Sequence, residues 1–404
     1  MSAAASGHRL VLAFGLAAFG AGAQAAGTGD STQGCNYNLR ATGWPDALSR
    51  LNSLRAQAGL PALAANERIV RAAADHAAYL VKNNGGDHAE TPGRAGFRGE
   101  TTFDRLVSAG YFNADRSNLR TYSEIVATEN LSNEVDVIDF MVSLPYHRAL
   151  AFDPSPREAG ADRHCGDTGA GTLVVDLGST RAVGIGTLDA PVVWPADGAT
   201  GVWVIMGKEL PNPLAPAVWC EPVCPGYPAS IQVAPRLGNS GANALDVGRF
   251  TIAQRGGEPV AVRVLDRHDR NLAYAPNWAL AVPLQPLAPG TTYDVSFSGS
   301  DRGGAVNKNW SFTTSTVPLR LAGTEPVGDG VVLRFDGAAP FLEGYTLDLS
   351  EACWDAGLVA KLSVGSRAAK ITVAQRPNVA CEITVTVQSR VTAEALQTVL
   401  TIAP

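Results

Sequence analysis

Charge is scarce in this sequence. Asp, Glu, Lys and Arg make up only 17% of its 404 residues, and the formal net charge is −6. No long basic run is present, which argues against a nucleic-acid partner. Enzyme signatures are missing as well: there is no His-Glu-x-x-His, no Gly-x-Ser-x-Gly and no Gly-Lys-Ser/Thr phosphate loop. His88-Ala-Glu90 starts like a zinc-deaminase fragment, but no Pro-Cys-x-x-Cys follows it, which removes that chemistry. Beyond the N-terminus no segment reaches the ~20 apolar residues that a membrane-spanning helix needs.

What is there describes a globular chain of two or three domains, 46% hydrophobic and rich in turns, with Gly 42 and Pro 25. His8 and Arg9 precede an apolar or glycine run from Leu10 to Ala21, and Ala23-Gln24-Ala25 offers the small residues of a cleavage site. Residues 1–25 therefore read as a signal peptide, leaving a mature chain that starts at Ala26. The alternative is a membrane anchor, for which a run of roughly 12 residues is short. Polar Thr28 to Gln33 separate Cys35 from the run, against a lipoprotein. The six cysteines, 35, 165, 220, 224, 353 and 381, form an even set that suits disulfides in an exported chain. Neighbourhood suggests Cys220–Cys224 and Cys353–Cys381, leaving Cys35–Cys165, one arrangement among several. Cys220-x-x-x-Cys224 could instead be half of a zinc site, but no second ligand pair follows.

Residues 44–150 read as helical. Trp44, Leu48, Leu51, Leu54 and Ala58 fall at helical spacing before Gly59 and Pro61. Asn66 caps a second stripe of Ile69, Ala73, His76 and Leu80. Further helices are expected near Phe103–Ala109 and from Ser132 or Asn133 to Pro145. Strand-like runs follow at Thr172–Leu177 and Arg181–Leu188, giving an α+β domain. Eight prolines between 191 and 228 mark a connector over 190–228, which predicts that the domain before it folds independently. Alternating runs after residue 229 suit a β-sandwich over 229–316, and a second β-rich module, with its own Cys353–Cys381 staple, over 317–404.

Over 44–189 the sequence resembles the CAP superfamily of cysteine-rich secretory, antigen 5 and pathogenesis-related proteins, in its bacterial form. Leu51-Asn-x-x-Arg55-x-x-x-Gly59-Leu60, Ala72-Ala-Ala-Asp-His76-Ala, Phe103-Asp-Arg105 with Ala109-Gly-Tyr111, Ser143-x-Pro-x-His147-Arg148 and Glu158-Ala-Gly160 carry the likeness, in order and with matching gaps. Phe140 and Tyr146 depart from it, standing where the family usually has Trp and Gly. The resemblance implies an α-β-α sandwich with a cleft formed by His88, His147 and a glutamate. Glu124 has the better spacing to His147, and Glu129, in Thr128-Glu129-Asn130-Leu131, the better letters. Such a set could bind a divalent metal such as zinc, or exchange protons near neutral pH. Each of the three also has a plain structural reading, as surface histidine, chain anchor or backbone cap. His76 belongs to a core stripe, while His164 and His268 sit in polar turns.

Leu287 to Thr314, with Pro-Gly-Thr-x-Tyr and Trp-Ser-Phe-x-Thr, resembles the end of a bacterial immunoglobulin-like domain; residues 317–404 resemble no family. Together these features predict an exported, non-catalytic binding protein at or beyond the cell envelope, its ligand a small molecule, a lipid or an envelope component. A metal-assisted hydrolase using the same cleft and a structural or adhesive protein are the alternatives.

Overall fold

A computed structural model of the chain describes residues 8–10, 46–85, 87–130, 134–166, 170–217, 224–236, 242–328, 330–337, 342–365, 367–390, 392 and 394–404. It is a mixed α/β structure with few helices and five four-stranded sheets. Most of the expected signal segment, together with Cys35 and Cys220, lies outside the described residues. His8–Leu10 (β1) pairs in parallel with the last strand, Ala395–Ile402.

The first layered unit contains helices α1 (Ala47–Gln57), α2 (Glu67–Lys82), α3 (Thr102–Ser108), α4 (Glu134–Ser143) and α5 (Pro145–Ala151). Its strands are β2 (Ala64–Ala65), β3 (Leu119–Asn130), β4 (Glu158–Cys165) and β5 (Ala170–Thr180), in the order β2-β4-β5-β3. Asp46, Asn66 and Thr101 cap α1, α2 and α3 with side-chain oxygens, meeting the unsatisfied N–H groups of each first turn. The sheet is covered on both faces. Val126 and Val174 pack with α2, whereas Ile125, Ala127, Leu173 and Val175 pack with α1, α4 and α5. At Gly160 the backbone of α2 lies so close to β4 that a Cβ would meet Val70 N at 2.1 Å.

Two differences from the sequence reading stand out. The helical stretch is interrupted by β3, whose Ile125 and Ala127 are buried on one face and Val126 packed on the other, so no alternation of polar and apolar residues marks it as a strand. Conversely, Arg181–Leu188 is turn and loop, and the partners of β5 are instead β3 and β4, both of which lie before it in the chain.

The proline-rich segment contributes to a sandwich. Val192–Trp194 (β6) pairs with Ala229–Gln232 (β8), and Ala199–Val202 (β7) pairs in parallel with Gly304–Thr314 (β13). With Asp246–Gln254 (β9), Val262–Leu265 (β10), Trp278–Pro283 (β11) and Thr292–Asp301 (β12) they form sheets β10-β11-β8-β6 and β7-β13-β12-β9. Residues 192–202 are thus sandwich strands as well as a link. A single apolar core runs from Leu51 and Met141 through Trp194, Ile205 and Met206 to Ile231, Trp278 and Phe312. At Gly207 the link presses on α4, where a Cβ would meet the Phe140 ring at 2.2 Å.

Residues 319–404 form two further sheets around a separate core that includes Leu333, Ile371, Ile383 and Leu400. The expected disulfide Cys353–Cys381 ties a short helix, Glu351–Asp355, to the strand Cys381–Ser389. Cys165 and Cys224 are also disulfide-bonded. This module meets α4 through Arg367, which donates to Asp136 at 3.0 Å, and Arg390, whose guanidinium lies 4.7 Å over the Phe140 ring. Among the described residues no helix is long and apolar enough to cross a membrane.

Candidate functional site

The polar groups of the first unit converge on the face of the sheet covered by α2 and α3. His76, on the buried stripe of α2, is fully enclosed. Its Nδ1 lies 3.0 Å from Glu90 Oε1 and its Nε2 3.1 Å from the Asp87 carbonyl, so both ring nitrogens face acceptors. The Glu90 carboxylate also accepts from the Arg98 and Gly99 amides. Burial pushes its pKa up, but the bonds from His76 and the two amides, with the charge of Arg105, outweigh this and leave it below the ordinary value.

Glu124, in the middle of β3, is the hub. Its Oε2 accepts from the buried guanidinium of Arg105 on α3, and its Oε1 lies 2.8 Å from His88 Nδ1. Burial opposes ionisation, yet the His88 hydrogen bond and the charges of Arg105 and His76 hold Glu124 well below the usual carboxylate range. Arg105 also donates to the His88 carbonyl at 3.1 Å, fixing the loop that carries the imidazole. Directly across the ladder from Glu124 stands Asp176 on β5, fully buried. Neither of its carboxyl oxygens receives a hydrogen bond from a donor among the described residues. Burial and the neighbouring Glu124 raise Asp176 well above the ordinary range, Arg105 offsetting part of this, so of the two carboxyls Asp176 is the one that holds a proton more readily.

The outcome is one presented group. The His88 side chain is 54% exposed although its partner Glu124 is almost fully enclosed. A carboxylate on Nδ1 sets ring orientation and turns Nε2 outward, free to donate, accept or ligate.

His147 is placed differently. It belongs to the first turn of α5, where Leu144 occupies the N-cap position and provides no side-chain bond. The cap comes from the link: buried Glu209 accepts from the Tyr146 amide at 2.9 Å and the His147 amide at 3.2 Å, and its Oε1 also bonds His147 Nδ1. Arg148 next to it is fully buried and donates to the Val142 and Pro228 carbonyls while lying 4.9 Å from the Tyr227 ring. His147 therefore serves the junction between the first unit and the sandwich.

The two histidines pair with two different carboxylates from different parts of the chain. Among the described residues no group of three or more His, Cys, Asp or Glu side chains is arranged to hold a metal ion. Glu124 is bonded to Arg105 and His88, and His147 to Glu209. The Glu129 side chain lies outside the described residues, while its backbone pairs with Gly171 at the end of β3.

Sequence reading passed over three members of these sites. Asp176 interrupts the apolar run Leu173-Val-Val-Asp-Leu177, a signal that a buried polar group was present. Arg105 lay inside a family-matching fragment without an assigned role. Glu209 carried no local signal, but the unsatisfied start of α5, Leu144-Pro145, implies a cap supplied from elsewhere.

The model of CAP, the Cysteine-rich secretory protein family, matches residues 48–176, so this part of the chain is a CAP domain. No curated protein matches the chain. Among solved structures, the chain is similar to an outer surface protein from Borrelia burgdorferi, at 19% identity over 33% of this chain and 90% of that one, with a TM-score of 0.28. Zebrafish RET cadherin-like domains 1 to 4 match at 10% identity over 64% of this chain and 67% of theirs, TM-score 0.26. A chimeric titin Z1Z2 matches at 12% identity over 52% and 95%, TM-score 0.26. At these scores the structural likenesses carry no weight for function.

Proposed function

We propose that the protein is exported and that its CAP domain, of the bacterial type, is a non-catalytic recognition unit at or beyond the cell envelope, with His88 as its contact group. The supporting observation is the asymmetry of the His88–Glu124 pair: a buried, ionised carboxylate backed by Arg105 fixes an imidazole that is itself open to solvent. A ring oriented in advance loses less freedom when a ligand engages it. The 192–314 sandwich is an immunoglobulin-like module in this reading, and it holds the CAP domain rigidly through the Glu209 and Arg148 contacts.

The test is co-sedimentation of the mature full-length protein with isolated envelopes of the producing cell. His88→Ala is expected to weaken binding about ten-fold or more, the loss of one well-placed contact. Glu124→Gln, which leaves His88 in place without its ionised partner, should give an intermediate loss. Equal binding by wild type and His88→Ala would show that recognition lies elsewhere. Intact mass of the exported form is expected to correspond to a chain beginning at Ala26 with no free thiol. A chain retaining Met1, or one with reactive thiols, contradicts export with cleavage.

A further inference from the structure

A second concave site lies where the CAP domain meets the sandwich, away from the His88 cluster. It is a cavity of about 150 Å³ between α1 and α4 on one side and the β6–β7 segment with Tyr227 on the other. This is small beside the roughly 300 Å³ at the lower end for drug-sized ligands. One wall is aromatic: Trp194, Trp203 and Tyr227. Trp194 is fixed twice, by its Nε1–H donating to the Tyr227 hydroxyl at 2.9 Å and by edge-on packing against Phe152 at 5.0 Å. Trp203 stands edge-on to Tyr227 at 6.4 Å. The facing wall comes from the CAP domain and is mixed: polar Arg50, Gln57 and Asp139 beside apolar Leu54 and Val142.

The two charged groups on that wall face each other. Arg50 reaches Asp139 Oδ1 through Nε at 2.8 Å and through its terminal nitrogen at 2.7 Å. Both side chains stay about one-fifth exposed, at 20% and 19%.

These features select among ligand chemistries. An organic cation suits the aromatic wall but would meet the Arg50 guanidinium, and an anion would meet Asp139. A wholly apolar ligand would strip water from the ion pair and from Gln57 without replacing its hydrogen bonds. An uncharged ring with one C–H face and several hydroxyls meets both walls: the face packs on indole, while the hydroxyls donate to the Asp139 carboxylate and accept from Gln57. We propose that this junction pocket binds a single uncharged sugar ring, either a free monosaccharide or the terminal residue of a glycan. Its two walls belong to different modules, so the site exists only while the CAP domain and the sandwich are docked. It does not depend on the role proposed for His88.

The test is titration of the mature full-length protein with glucose, galactose, mannose and N-acetylglucosamine, followed by tryptophan fluorescence and ligand-observed saturation-transfer NMR, with tetramethylammonium as the cationic control. At least one sugar should give a saturable response in the millimolar range, about tenfold weaker in Trp203→Ala and measurably weaker in Gln57→Ala. Gln57 is exposed on α1, so its substitution leaves the fold intact and keeps the test valid if Trp203→Ala is unstable. Three outcomes overturn the proposal: no saturable response to any sugar up to about 100 mM, sugar binding unchanged in both variants, or a response to tetramethylammonium alone.

Discussion

His88 and His147 make the same bond to opposite ends. Each ring offers Nδ1 to a buried glutamate, but His88 is 54% exposed and His147 only 18%. The partner of His88 lies within the CAP domain, on β3, whereas the partner of His147 lies 62 residues further along, beyond the matched domain. A histidine–carboxylate pair is therefore no signature of one role. Anchored from beneath and open above, it presents a group; enclosed and shared with a helix start, it docks two modules.

The largest expected effect breaks the docking side. A chain ending at residue 190 loses Glu209 and the apolar residues 193–312 that complete the common core. It is expected to show no cooperative thermal transition, whereas removing residues 317–404, which have a core of their own, should leave one. Cooperative melting of the shorter chain would instead support the independent domain that the prolines suggest.

Next in size is the support beneath His88. Arg105→Ala leaves Glu124 buried without its cation and should cost about 3–5 kcal/mol, read from chemical denaturation. Glu209→Ala removes a cap of two amide bonds and the His147 partner, and should cost about 2 kcal/mol while leaving envelope binding unchanged.

How much of this could be read beforehand follows the range of each interaction. Features decided locally were legible: the caps and stripe of α2, the enclosed His76, and the Cys353–Cys381 staple 28 residues apart. The β3 strand was not, because helices cover both its faces and erase the alternation that marks a strand. Nor was Glu209, because a cap supplied from 62 residues away leaves no spacing to read. The expectation paired His88 and His147 with one glutamate; each bonds a different one, Glu124 and Glu209.

Asp176 sharpens the comparison through pH. Its folded-state pKa lies well above the ordinary value, so the folded chain keeps this proton to a higher pH than the unfolded chain does. The stability associated with this group is complete below about pH 3.8 and declines as pH rises. Asp176→Asn, which keeps a donor facing Glu124 and removes the titration, should be more stable than wild type near pH 7, with the advantage gone near pH 3. Equal stability at both pH values would place the proton elsewhere. His88→Ala is expected to have the smallest effect on stability, within about 0.5 kcal/mol for a largely exposed side chain, despite its loss of envelope binding.

The division of roles is tested most directly by long-range ¹H–¹⁵N NMR of the imidazole rings in the full-length protein, during titration with solubilised envelope fragments. The account predicts that the His88 Nε2 resonance shifts progressively to saturation while the His147 signals stay fixed. Shifts at His147, or none at His88 under conditions where the protein co-sediments with envelopes, would contradict it.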